Sequence, residues 1–151
     1  MVYTSTPMAL SKQKFREIVF QLLFSTDFSS IKEKETLEML MEQLSVPKST
    51  LREALLRAEK MSEHFPEIDR KIASLAKEYE FDRIPRVEKT ILRLGLFELL
   101  HDSSLPPKVA ISEAIRLSRK FATPEASAFV NAVMDSAHKE ESQKSEVRTQ
   151  N

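Results

Sequence analysis

The chain has 151 residues, no cysteine, one glycine, and 23 basic side chains balanced by 23 acidic ones. That length fits one domain with a real core, and the lack of cysteine excludes disulfides and thiolate chemistry and suits the cytosol. Zero net charge excludes nucleic-acid binding through overall charge and leaves that role to a local basic patch. No apolar run approaches a membrane span and no charged-then-apolar leader opens the chain, so the expectation is a cytoplasmic protein with no membrane partner.

Residues 1–10 show no periodicity and predict a flexible arm. Ser11 is an N-cap candidate for a first helix whose core stripe is Phe15, Ile18, Val19, Leu22 and Leu23. Leu37, Leu40, Met41 and Leu44 stripe a second helix after the Ser29-Ser30 turn. Thr50-Leu51-Arg52-Glu53 has the form of a capping box, and Leu51, Ala54, Leu55, Ala58 and Met61 carry a third helix. Pro66 starts a fourth, striped by Ile68, Ile72, Leu75, Ala76 and Tyr79. A fifth begins near Pro85 and a sixth near Pro107. Thr123-Pro124 supplies an N-cap and a first-turn proline for a seventh, striped by Phe129, Val130, Val133 and Met134. From His138 onward the polar, charged sequence predicts a disordered tail over 138–151. No segment alternates with period two, so the fold class is all-α with about seven helices. The prolines at 47, 66, 85, 106 and 124 are nearly evenly spaced, but the segments between them share no residue pattern. A globular bundle therefore outweighs a helical repeat.

Catalytic chemistry finds little support. His64, His101 and His138 form no metal-ligand spacing, so neither a metal nor another cofactor is expected. His101-Asp102-Ser103 holds the residue types of a triad, but three consecutive residues cannot relay a proton among themselves. They predict a polar turn. With Gly95 alone there is no phosphate-cradling loop. Arg93, inside the most apolar helix, is either paired at the helix edge or directed to a phosphate, and structural pairing is the expected role.

The first helix is the candidate functional surface. Lys12, Lys14 and Arg16 place three cations in five residues, with Glu17 the nearby acid. Cations at a helix N-terminus oppose the macrodipole, at about 0.3–1 kcal/mol each, and a docked polyanion reverses that cost. Phe20 and Phe24, four apart, point away from the Phe15/Leu22 stripe, so the chain itself (through the loop at Phe28) or a partner must cover them.

The most informative block is Val87-Glu88-Lys89 with Ile91-Leu92-Arg93 and Phe97-Glu98-Leu99, whose apolar residues wrap most of the way round a helix. It is followed by Pro107-Lys108-Val109-Ala110-Ile111 with Glu113-Ala114-Ile115, and by Phe129-Val130-Asn131 with Asp135. Together with Arg16-Glu17 and Gln21-Leu22-Leu23-Phe24, in this order and spacing, these pieces resemble the NusB family of bacterial transcription antitermination factors. The likeness spans about Ser11 to Ala137.

The resemblance implies two small helical bundles packed together, with 11–137 as an RNA-binding domain. It implies a non-catalytic factor that binds boxA-type RNA as a heterodimer with NusE, a small-subunit ribosomal protein. That complex joins RNA polymerase with NusA and NusG during ribosomal RNA transcription. In the family the start of the first helix is arginine-rich and contacts RNA; the matching positions here are Lys12, Gln13, Lys14 and Arg16. Lysine in place of arginine, and glutamine in place of a cation, reduce two-point phosphate contacts. Phe129 matches an aromatic residue implicated in RNA contact. Phe24 matches a tyrosine of the NusE interface, and Glu88 and Glu125 match acids at or near it. Ser112 and Ala132 replace the usual asparagine and glycine. A homodimer that hides the RNA face is also implied for some relatives. Two other readings are a detached RNA-binding module of a ribosomal RNA cytosine methyltransferase and a protein-interaction bundle without RNA binding.

Overall fold

Seven α-helices and one 3-10 turn, with no strand, make up the described part of the chain. The computed structural model describes residues 10–25 and 34–150. The helices are α1 (Lys12–Ser25), α2 (Lys34–Leu44), α3 (Lys48–Glu63), α4 (Phe65–Leu75), α5 (Arg86–His101), α6 (Pro107–Phe121) and α7 (Pro124–Gln150); the 3-10 turn is Phe81–Arg83. The chain divides into two compact units, Met1–Lys60 and Met61–Asn151. The expected arm over 1–10 lies almost wholly outside the described residues, as does Phe28.

In the first unit, Ser11 caps α1 as the sequence predicts: its Oγ accepts the backbone N–H of Lys14 at 3.1 Å. Mid-helix, Glu17, Ile18, Val19 and Phe20 are all buried. Four consecutive residues sweep the whole circumference of a helix, so this turn is enclosed on every side. Of the two covers the sequence left open for Phe20, the chain itself supplies this one. Phe20 is 2% exposed. Helix α2 ends in a Schellman arrangement, Val46 N–H donating to Met41 O at 3.1 Å and Ser45 N–H to Glu42 O at 3.3 Å. Ser45 sits at φ 55°, a left-handed conformation that usually falls to glycine. Helix α3 starts directly after Pro47, whose carbonyl accepts Leu51 N–H at 3.1 Å. Thr50 is therefore inside the helix and is not its cap, which corrects the sequence reading.

The second unit is organised by α5. Thr90, Ile91, Leu92, Leu94, Gly95, Leu96, Phe97 and Glu98 are all buried, as its nearly all-round apolar pattern predicts. Helices α4, α6 and α7 each pack on it. Both α6 and α7 press against Gly95: a Cβ there would stand 3.0 Å from Met134 Sδ and 3.2 Å from the Ala114 Cβ. Helix α4 packs on α5 through its first turns: Asp69 and Phe65 meet Arg93, while Glu67 and His64 meet His101. The α4 stripe stops at Ala76, leaving Tyr79 half exposed in the following turn. Between α6 and α7 the buried Ser118 and Ser127 hydroxyls meet at 2.9 Å. Ser118 already donates to Ile115 O, so Ser127 is the donor of this pair.

Helix α7 begins as expected, with Thr123 Oγ1 accepting Ala126 N–H at 3.1 Å. It does not end at Ala137. The segment expected to be a disordered tail continues as helix through Gln150. Ala137 is fully buried and Lys71 Nζ pairs with Glu140 Oε1 at 3.0 Å, which ties the extension to α4. Pairs at i,i+3 and i,i+4 (Lys144 with Glu141, Lys139 with Asp135) support the exposed part.

Candidate nucleic-acid and partner interface

The sequence-predicted site residues fall in both units. Lys12, Gln13, Lys14, Arg16 and Phe24 lie on α1 in the first; Glu88, Glu125 and Phe129 lie in the second.

On α1, Lys12, Gln13 and Lys14 are exposed and Arg16 is half-buried. No acid occupies the first turn, and no ion pair among the described residues involves Lys12 or Lys14. Two cations therefore stand on the positive end of the helix dipole, an arrangement that attracts an anion. Arg16 has partners within the chain and is the less available of the three. At the other end of α1, Phe24 is half-buried and stacked on Phe20, with ring centroids 5.9 Å apart and planes 18° from parallel. The aromatic pair is thus split: Phe20 is a core residue, and Phe24 is half-buried.

Glu88 occupies the first turn of α5, where a carboxylate favours the helix dipole. It is half-buried, and that burial pushes its carboxyl pKa above the ordinary value. Glu125, exposed, holds the equivalent first-turn place on α7. Phe129 follows it by four residues, so the two share one face of α7. Within Phe129-Val130-Asn131, Val130 is fully buried while Asn131 is exposed and Phe129 half-buried. The motif straddles the core boundary.

The ring of Phe129 meets Tyr79 edge-on, with centroids 5.1 Å apart and planes at 86°. Sequence reasoning missed Tyr79 as a surface partner because it extended the α4 stripe to that residue. The signal was the charged run Lys77-Glu78-Tyr79-Glu80, which breaks the apolar pattern. Ile115, Arg119, Pro124, Ser127, Ala128 and Asn131 line a groove of about 520 Å³ along α6 and α7. Arg119 and Asn131 give it hydrogen-bond donors beside an apolar floor.

Arg93 is structural, as expected. Its guanidinium grips Asp69 at two points and lies 4.8 Å from the Phe65 ring centroid. Asp102 is a turn residue: its Oδ1 accepts the N–H and the hydroxyl of Ser104, at 3.1 and 2.6 Å. Among the described residues no helix is long and apolar enough to cross a membrane.

Comparison with known proteins gives a consistent result. The model of the NusB family matches residues 13–139. The transcription antitermination protein NusB of Chlamydia pneumoniae is 34% identical over 137 residues, 88% of this chain and 86% of the relative. That of Pseudothermotoga lettingae is 34% identical over 131 residues, 85% of this chain and 91% of its own. Among solved structures, T. maritima NusB is similar with TM-score 0.70 and 27% identity, covering 87% of this chain and 92% of that one. A chain in the crystal structure of antitermination factors NusB and NusE in complex with dsRNA is similar with TM-score 0.68 and 26% identity, covering 85% of this chain and 96% of that one.

Proposed function

This chain belongs to the NusB family, and from that premise we propose that it is a non-catalytic transcription antitermination factor acting in the cytoplasm. It binds boxA-type RNA together with NusE, residues 11–137 forming the RNA-binding domain, and supports ribosomal RNA transcription in an RNA polymerase complex with NusA and NusG. The observation that carries this reading is the extent of the family match, which runs through α1 to α7 and includes a similar structure solved with NusE and dsRNA.

The local geometry supports a division of labour. Lys12 and Lys14 supply charge to a phosphate backbone, Gln13 and Arg16 flank them, and Phe129 with Tyr79 supplies an aromatic edge for an unstacked base. Phe24, Glu88 and Glu125 serve NusE. Because Glu125 and Phe129 share a face of α7, the RNA and protein surfaces adjoin there. Three cations in a neutral chain provide modest attraction at physiological salt, so sequence discrimination belongs to the heterodimer.

The test is a binding titration of the chain, alone and mixed with its own NusE, against its ribosomal leader RNA and a scrambled RNA at one salt concentration. Weak, unselective binding by the isolated chain and tighter, selective binding by the mixture is the expected result. Equal discrimination by the isolated chain overturns the heterodimer assignment. Absence of RNA binding in both cases leaves the protein-interaction reading.

A further inference from the structure

Outside the surfaces considered above, α4 and α5 bring together two imidazoles and a carboxylate. His64 is the residue before α4, Glu67 lies in the first turn of α4, and His101 is the last residue of α5. Glu67 and His101 are 34 positions apart in sequence, so no local motif announces the group. A single oxygen, Glu67 Oε1, faces both rings, 3.4 Å from His64 Nδ1 and 2.5 Å from His101 Nε2. The ligand atoms of all three residues lie within 4.8 Å of one another.

We propose that His64, Glu67 and His101 form a binding site for a divalent transition metal ion, with Zn²⁺ as the fitting occupant. Two imidazole nitrogens and one carboxylate oxygen are a donor set that suits Zn²⁺, which has no d-electron preference and tolerates an irregular cage. Zinc bonds of about 2.0–2.2 Å set ligand atoms about 3.3 Å apart across a tetrahedral edge. The Glu67–His64 edge, at 3.4 Å, already has that length. The Glu67–His101 edge opens by about 0.8 Å, a small motion for a carboxylate on an exposed side chain.

The rings are held in place before any ion arrives. Their centroids are 4.1 Å apart, and the buried Phe97 ring stands 5.4 Å from His64 and 5.5 Å from His101. This apolar wall limits reorientation of both imidazoles. The exposed side of Glu67 and His101 leaves the fourth position to water, so the site is open. Binding replaces the direct Glu67–His101 contact by ligation, and joins the start of α4 to the end of α5.

The experiment is a calorimetric Zn²⁺ titration of the full chain carrying no affinity tag, with Co²⁺ absorption as a second readout of coordination. One saturable ion per chain is expected, with a rise in melting temperature. His101→Ala and Glu67→Gln should each weaken binding by more than the roughly 10–100-fold that loss of an outer-shell partner costs, while His138→Ala leaves it unchanged. Glu67 is exposed, so its substitution is compatible with the folded chain whatever His101→Ala does. Absence of saturable one-to-one binding, or binding that survives both substitutions, overturns the proposal.

Discussion

Arg93 and Asp69 meet as a planar fork, Nε donating to Oδ1 and Nη2 to Oδ2, each at 2.8 Å. The pair is about three-quarters buried, and the Phe65 ring covers the guanidinium. Arg93→Lys keeps the charge but loses the fork and the stacking, and should lower unfolding free energy by about 1–2 kcal/mol. RNA affinity should not change. Thermal melting beside an RNA titration checks both halves, and a stable variant with weakened RNA binding would reassign Arg93 to a phosphate.

Lys12 and Lys14 make the opposite case, since they stand where the helix dipole disfavours them. Replacing both by alanine should raise the stability of the first unit by a few tenths to about 1 kcal/mol. The slope of log affinity against log salt should also flatten by about 1.4, because each phosphate that a lysine neutralises on single-stranded RNA adds about 0.7 to it. An unchanged salt slope would place the RNA site elsewhere.

Glu88 is half-buried, and that burial raises its carboxyl pKa. A raised carboxyl pKa means that the folded chain binds this proton more tightly than the unfolded one. The group therefore contributes most favourably below the ordinary glutamate value, and stability falls as pH rises from there through the elevated folded value. Glu88→Gln should remove that decline and leave the protein at least as stable near neutral pH, while NusE affinity drops. Melting curves across this range, with a NusE pull-down, test the pairing; a variant that loses stability at neutral pH contradicts it.

Ser45 carries the left-handed turn that closes α2, at φ 55°. Ser45→Gly removes the steric cost of a Cβ there and should stabilise the chain by about 1 kcal/mol, with Ser45→Val having the reverse effect. Denaturant midpoints for the two variants should fall on opposite sides of the parent. A destabilised glycine variant would show that the Ser45 side chain itself holds the turn.

What the sequence makes legible here is what is decided locally. The caps at Ser11 and Thr123 depend on three neighbouring residues, and both appear where the pattern places them. Helix α5 is legible because an apolar circumference has one physical solution, burial on all sides. Thr50 shows the limit of local reasoning: a capping-box pattern is overridden when Pro47 starts the helix earlier. Phe20 shows the same limit: its pattern leaves the cover open between the chain and a partner, and the fold shows that the chain buries it. The helical tail and the His64–Glu67–His101 group both depend on partners distant in sequence, Lys71 with Glu140 being 69 residues apart. Of the candidate interface, charge and aromatic placement are legible, but the division between the buried Phe20 and the half-buried Phe24 is not.

Helix α7 spans 27 residues, about 40 Å of continuous rod, yet its anchoring is uneven. Ala126, Val130, Val133, Met134 and Ala137 are buried along its first half, and the Lys71–Glu140 pair is the tether that follows. Past that tether the amides are guarded chiefly by the helix ladder, with Val147 exposed on the outer turn. Amide exchange along α7 should thus divide near Glu140, slow before it at the rate of opening of the second unit, and fast after it at the rate of fraying. The same gradient makes Lys144 and Arg148, in the last turns, points at which trypsin cuts α7 before its buried first half.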